Sequence, residues 1–298
     1  MFASDLVATM VDHVGSWLSS YAIVAVMLTM GLLVERIRRL EASQPRTASR
    51  LGLAYSAAAS IVDHFARPVT AVVSMAVVQA CGGGMITLPS HGWGAVLSFA
   101  TLFLTIDLLE YLFHRLQHAV PVLWRLHSLH HSASTFNVTV TPRHHWIEPI
   151  VKACCLYPIA AIVFKTELWM AGTVSLAFLL VNYFAHLNLR VELGRFGVCI
   201  NSPQYHRLHH ARDGEYFNLN FTQCLPLWDW LGGTLRLPKA GEWPATGLEE
   251  GHEPATVWQA LVWPLPVRRA VVASEAAPAY PAATGVAAAV SPDRGRTP

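Results

Sequence analysis

The sequence has little charge. Of its 298 residues only 13% are Asp, Glu, Lys or Arg, against 53% hydrophobic. A soluble domain carries about 25% charge, so the deficit points to a membrane protein. A strong excess of either sign is also missing. The net charge of +2 gives no reason to expect a nucleic-acid partner. Paired cysteines are absent too. Cys81, Cys154, Cys155, Cys199 and Cys224 contain no C-x-x-C pair. That excludes a thiolate metal site and a disulfide framework, and the five read as small buried hydrophobes. The N-terminus lacks a basic region and opens with Asp5 and Asp12, so no cleaved signal peptide is expected.

Long apolar runs are what the chain does have. Residues 17–34 are almost wholly apolar and long enough for a span, which needs roughly 20 residues. Arg36, Arg38, Arg39, Arg46 and Arg50 follow, and a basic loop beside a span marks the cytoplasmic side. A second helix is expected to begin near Ala54, kink near Pro68 and end at Gly82-Gly83-Gly84. Residues 94–113 form a strong third span. Residues 149–164 and 168–185 make a returning pair that either crosses fully or is re-entrant. Residues 257–267 are apolar and Trp-rich and suit the membrane interface, whereas 270–298 read as a disordered Ala/Pro-rich tail. The expected fold is an all-α integral membrane bundle of four to five hydrophobic segments with a cytosolic, His-rich helical cap. Its divisions are 1–50 (first helix and basic loop), 51–250 (main domain) and 251–298 (interfacial segment and tail).

Into this apolar chain are set repeated histidine patterns. Residues 124–132 read W-R-L-H-S-L-H-H-S and give H-x-x-H-H at His127, His130 and His131. The pattern returns at His206, His209 and His210. An H-x-x-x-H pair, His114 and His118, precedes the first copy, and N-Y-F-A-H sets Asn182 and His186 at i, i+4. Helical residues at i, i+3 and i+4 share a face, so each cluster is expected to aim its rings at one point. Nine histidines and one asparagine suit two ions with four or five protein ligands each. Imidazole suits zinc, copper, iron and nickel. No thiolate and no bridging aspartate accompany the set. An all-nitrogen pair at the end of membrane helices fits iron, dioxygen and an unreactive lipid C–H bond better than zinc hydrolysis. A di-zinc membrane hydrolase and a non-enzymatic metal-binding protein are the rival readings.

Secondary candidates flank the clusters. Asp107 and Glu110, in the last turns of the third span, are expected either to hydrogen-bond ligand imidazoles or to serve helix packing. His144 and His145 have no histidine partner at i+3 or i+4 and are lesser ligand candidates. Trp228, Asp229 and Trp230 are expected to anchor the cap to the membrane. His13, His64, His91 and His252 are isolated and read as surface residues.

Several of these runs together resemble the fatty acid hydroxylase superfamily, also called the sterol desaturase family. They are Asp107 before H-R-L-Q-H, then L-W-R-L-H-S-L-H-H-S, then R-x-H-x-x-E at Arg143, His145 and Glu148, and P-L-W-D-W-L-G-G-T at 226–234. The resemblance covers roughly residues 50–250. It implies an integral-membrane, non-haem di-iron enzyme that hydroxylates, desaturates or oxidises lipids with O2 and external electrons. Carried over, His114, His118, His127, His130, His131, His186, His206, His209 and His210 are the iron ligands. Asn182 stands where the family often has the first histidine of a further H-x-x-x-H, and Trp146 stands where it commonly has proline after His145. No H-P-G-G haem motif occurs, so a separate donor is expected: a ferredoxin, or a cytochrome with its reductase. Sterol, fatty acyl, alkyl-glycerol, sphingoid and carotenoid chains all remain open as substrates, as does the choice between hydroxylation and desaturation.

Overall fold

The apolar runs fold as helices because each buries its backbone polar groups within itself, the requirement a membrane imposes. In the computed structural model, which describes residues 2–264, four helices are long and apolar enough to cross a bilayer. They are α1 (Phe2–Glu35), α2 (Arg46–Ala80), α3 (Gly92–Ala119) and α7 (Leu168–Ala185). Their outward faces carry apolar side chains such as Leu18, Val26, Leu33, Val72, Met75 and Leu97, all exposed. That is the pattern for a lipid solvent, where outward apolar residues carry no penalty. The expected tail at 270–298 lies outside the described residues.

The fourth hydrophobic run is broken. Helix α5 (Ile147–Val151) passes through a π turn (Lys152–Leu156) into α6 (Tyr157–Val163). Pro158 has no N–H to continue the ladder, and the wider turn before it absorbs the mismatch. The run ends in β2 (Phe164–Lys165), which pairs in parallel with β1 (Ile86–Thr87) in the loop after α2. It therefore reaches the far end of the bundle, the end of the α2–α3 loop, and is not a limb that turns back early.

Helix α2 departs from expectation. It starts at Arg46, eight residues before Ala54, and runs through Pro68 to Ala80. Its first turns belong to the cap. Tyr55 is fully buried there, donating to the His144 carbonyl at 2.8 Å. Residues 257–264 also pack inward. In α10 (Val257–Leu261), Ala260 is buried with Tyr55 and Leu129, and Trp263 donates to Ser128 Oγ at 2.9 Å. Trp258 is turned out, 66% exposed. The cysteines depart as well: only Cys224 is buried, and Cys81, Cys155 and Cys199 are exposed.

The cap is stapled to the bundle by a carboxylate. Glu35, at the end of α1, accepts from the amides of Val138 (2.7 Å) and Asn188 (2.9 Å). The following loop joins in, with Glu41 paired to Arg207 and Leu40 N donating to Asn188 O. The basic 36–50 stretch thus lies against the His-bearing cap. Close approach of α2 to the cap needs Gly52: a Cβ there would meet Thr139 Oγ1 at 2.6 Å and the Thr139 carbonyl oxygen at 2.7 Å. Gly52→Ala is expected to destabilise the protein by about 1–3 kcal/mol through overpacking, read as a lowered unfolding midpoint in detergent; an unchanged midpoint would contradict the packing described.

Candidate metal centre

Four elements deliver the histidines. Helix α3 carries His114 and His118 on its last turns. Helix α4 (Pro121–His131), begun by Pro121 at its first position, carries His127, His130 and His131. His186 caps α7, and α8 (Pro203–His209) with its cap residue His210 carries the last cluster. Ser202 starts α8 by accepting from Tyr205 N.

The rings form two groups, and the groups cut across the sequence clusters. His114, His118, His127, His131 and His209 make one; His130, His186, His206 and His210 make the other. The expectation that each H-x-x-H-H aims at one point is therefore corrected. On α4 the i and i+4 rings, His127 and His131, go to the five-histidine group, while the i+3 ring, His130, goes to the four-histidine group. On α8 the assignment is exchanged: His206 and His210 join His130, and His209 joins His127 and His131. Residues three apart lie about 60° to one side of an exact turn and residues four apart about 40° to the other. Two short helices wedged between the groups thus each serve both.

Ring orientation is set by hydrogen bonds at Nδ1. His114 Nδ1–H donates to Phe221 O (2.7 Å), His209 to Leu219 O (2.8 Å) and His186 to Asn182 O (2.8 Å). A carbonyl only accepts, so each Nε2 is left with its lone pair facing inward. His118, His131 and His209 have buried Nε2 atoms with no hydrogen-bond partner. His114 Nε2 stands 3.0 Å from His127 Nε2. In the four-histidine group the Nε2 atoms of His130 and His186, His186 and His206, and His206 and His210 lie 3.2, 3.1 and 3.2 Å apart. Nitrogens bound at 2.0–2.1 Å to one ion are separated by about 2.9 Å in octahedral and about 3.4 Å in tetrahedral geometry. The contacts fall in that range, and lone pairs aimed at each other repel unless a cation lies between them. The residues fit two ions held by nitrogen.

Burial keeps the donors neutral. It lowers the pKa of His127, and lowers those of His130, His131, His206 and His210 well below the usual imidazole value, reinforced for all but His127 chiefly by neighbouring rings; His186 and His209 fall to about 3. The unprotonated form is the one that ligates. Aromatic walls complete the enclosure: Phe221 beside His114, His118 and His209, and Phe136 beside His186 and His210.

Of the two roles expected for Asp107 and Glu110, joining packed segments is the one the structure shows. Neither Asp107 nor Glu110 touches an imidazole. Asp107 accepts from the amides of Cys224 and Leu225 and from Trp228 Nε1, each at 3.0 Å. Glu110 accepts from Lys152 Nζ (2.6 Å) and Tyr157 OH (2.7 Å). The carboxylate that holds the rings is Glu148, whose Oε2 accepts from Gln117 (2.6 Å), His144 Nδ1 (3.2 Å) and His127 Nδ1 (3.3 Å). His144 also stacks on His130 with ring centroids 3.9 Å apart. The i, i+4 spacing of His144 and Glu148 was the available signal for this pairing. His145 stands apart: its Nε2–H donates to Trp263 O and its Nδ1 accepts from Ile147 N. Asn182 lies in the cavity beside His186 and offers that ring only its backbone carbonyl as partner. Asp229, expected as an interfacial anchor, is fully buried. It accepts from Phe221 N, Thr222 N, Tyr205 OH and Thr234 Oγ1, so it fixes the loop whose carbonyls orient His114 and His209. Trp230 is the outward member, 66% exposed.

Two variants separate these roles by metal analysis. His186→Ala is expected to lose one of two metal equivalents and keep the other. Glu148→Gln is expected to retain both at saturating metal but to release one to a chelator at about 10–100-fold lower competitor concentration. Loss of both equivalents in His186→Ala, with the fold intact, would show a single coupled site instead.

Known proteins resemble the chain over the histidine-bearing region. Residues 99–234 match the fatty acid hydroxylase family model. The chain is 30% identical over 151 residues to alkylglycerol monooxygenase of Xenopus tropicalis, covering 50% of this chain and 32% of that protein. It is 33% identical over 132 residues to ornithine lipid hydroxylase OlsE of Rhizobium tropici, covering 43% and 38%. It is 25% identical over 218 residues to cholesterol 25-hydroxylase-like protein 2 of Danio rerio, covering 68% and 72%. The match thus spans about a third of the length of the alkylglycerol monooxygenase. No solved structure matches. All nine histidines lie inside the stretch that matches the fatty acid hydroxylase family.

Proposed function

We propose that this membrane protein is an oxidoreductase that uses O2 and external electrons to hydroxylate a lipid C–H bond at two non-haem irons. The observation that carries the reading is the pair of adjacent all-imidazole groups, five and four rings, at one end of an apolar helical bundle. The relatives are named for lipid hydroxylation or monooxygenation, which favours insertion of oxygen over desaturation. His114, His118, His127, His131 and His209 would hold one ion, and His130, His186, His206 and His210 the other; bound there, iron supplies reductive activation of dioxygen.

The chain's own part is enclosure and orientation. Nδ1 bonds to Phe221, Leu219 and Asn182 carbonyls hold the rings rigid, and Glu148 holds His127. Phe136 and Phe221 keep bulk water from the rings. Electrons come from a separate ferredoxin, or from a cytochrome with its reductase. In the reconstituted full-length protein, product formed under 18O2 is expected to carry one 18O atom. Chelation should abolish it, and iron(II), but not zinc, should restore it. An O2-independent product formed with zinc alone would replace this reading with the hydrolase.

The cap faces the cytoplasm in this reading, supported by the basic 36–50 stretch packed against it. Two exposed native cysteines test the orientation, since Cys81 follows α2 at the far end and Cys199 lies in the cap. A membrane-impermeant maleimide on intact cells is expected to label Cys81 and to reach Cys199 only after permeabilisation; the reverse order would invert the protein.

A further inference from the structure

Two stretches of backbone meet where the bundle joins the cap. The stretch after α1 and the stretch after α7 run antiparallel and are bridged at Arg39 and Leu189. On either side of that bridge, Arg190 N donates to Arg38 O at 3.4 Å and Leu40 N to Asn188 O at 3.3 Å. This register sets Arg38 directly opposite Arg190. Residues paired in this way share a face with Cβ atoms about 5 Å apart, and like charges there repel. Both arginines are exposed, as is Arg36.

Among the described residues nothing neutralises this pair. The ion-paired arginines there are Arg67, Arg143, Arg207 and Arg236. The carboxylates nearest in the chain are engaged elsewhere. Glu35 accepts from Val138 N and Asn188 N, Glu41 pairs with Arg207, and Glu192 accepts from Gly241 N and Trp243 Nε1. Two guanidiniums held opposite each other without a counter-charge call for an anion between them. A phosphate suits them best, since each planar fork can bond it through two N–H groups.

The pair follows directly on two spans, α1 ending at Glu35 and α7 at Ala185. Met30, Leu33 and Val34 of α1 face outward up to that point, and Ile37, between Arg36 and Arg38, is 81% exposed. Further along the second stretch, Phe196 and Val198 are exposed too. Arginines interleaved with outward apolar side chains at the end of a span fit a lipid surface, where hydrocarbon and phosphate adjoin. An acidic protein would meet the arginines but gives Ile37 no reason to face outward. We infer that Arg38 and Arg190 bind the phosphate of an anionic phospholipid. The lipid bridges the stretch after α1 to the stretch after α7, and so steadies the segment that begins with His186. Neither arginine lines the cavity beside the imidazoles, and the site stands whether or not the oxidation reading holds.

The test uses the full-length protein in nanodiscs of phosphatidylcholine, with and without phosphatidylglycerol as a minority lipid. Native mass spectrometry reads the lipid retained on the protein, and the unfolding midpoint is measured alongside. Corrected for its share of the disc, phosphatidylglycerol is expected to be retained about tenfold over phosphatidylcholine, and to raise the midpoint. Arg190→Gln should remove that preference. In phosphatidylcholine alone the same variant should keep or raise the midpoint, because a repulsive pair is relieved. Arg50→Gln removes an equal charge from an exposed position on α2 and should keep the preference. Glycerol phosphate in solution should neither displace the retained lipid nor raise the midpoint. Equal retention of the two lipids would overturn the inference, as would an equal loss of preference in Arg50→Gln. Stabilisation by glycerol phosphate as large as that by phosphatidylglycerol would make this a site for soluble anions and overturn the lipid assignment. A lowered midpoint in phosphatidylcholine alone for both Arg190→Gln and Arg38→Gln would make the arginines structural and overturn it too; if Arg190→Gln does not fold, Arg38→Gln carries the same readings. Equal lipid retention, together with salt-sensitive binding of an acidic ferredoxin that Arg190→Gln abolishes, would turn the pair into a protein contact instead.

Discussion

Nine neutral imidazoles must be buried together with their lone pairs converging, and much of the architecture serves that requirement. Rings left to themselves would turn their donors and acceptors toward each other or toward water. Here carbonyls of Phe221, Leu219 and Asn182 occupy three Nδ1 atoms and turn the opposite nitrogens inward. Those carbonyls need fixing in turn, because most of them lie on loops. Asp229 holds the amides of Phe221 and Thr222, and Asp107 holds those of Cys224 and Leu225. The buried carboxylates therefore act at one remove, by shaping the loop that shapes the rings. Glu148 is the exception and contacts a ring of the five-histidine group directly.

The exchange of roles between α4 and α8 follows from helical geometry. A five-residue H-x-x-H-H cannot aim all three rings at one ion without distortion, because its rings spread over about 100° of the helix circumference. Wedging two such helices between the two ring groups turns the spread into an advantage. Each helix ties both groups together, so neither group is complete without both helices. His144, stacked on His130 and bonded to Glu148, adds a further link between the groups.

The apolar exterior and the polar centre meet along α3, α6 and α7. The π turn at Lys152–Leu156 matters here, since it brings Lys152 against Glu110. An uninterrupted helix would carry these side chains at different angles. The same broken segment also reaches the far end of the bundle at β2.

The membrane class, the approximate position of every long helix and the nine histidines were legible in the residues, because hydropathy and short-range spacing are local properties. The family resemblance, too, rested on contiguous runs. What those local patterns could not convey was how the rings partition, since that depends on the angle at which α4 and α8 cross the space between the groups. The sequence left Asp107 and Glu110 open between bonding the rings and packing the helices, because charges deep in a span signal only that they are paired. Tertiary structure instead assigns the contact to Glu148, which arrives from a different segment and is brought near only by packing. Likewise, α2 begins early and Trp263 turns inward because cap contacts with Tyr55, Thr139 and Ser128 outweigh the local signals that a single strand of letters carries. Hydropathy and local spacing alone placed the chain in a lipid solvent and gave it a set of imidazoles that could hold metal. Long-range packing alone decided which nitrogen meets which, because contacts between residues a hundred positions apart are written in no periodicity.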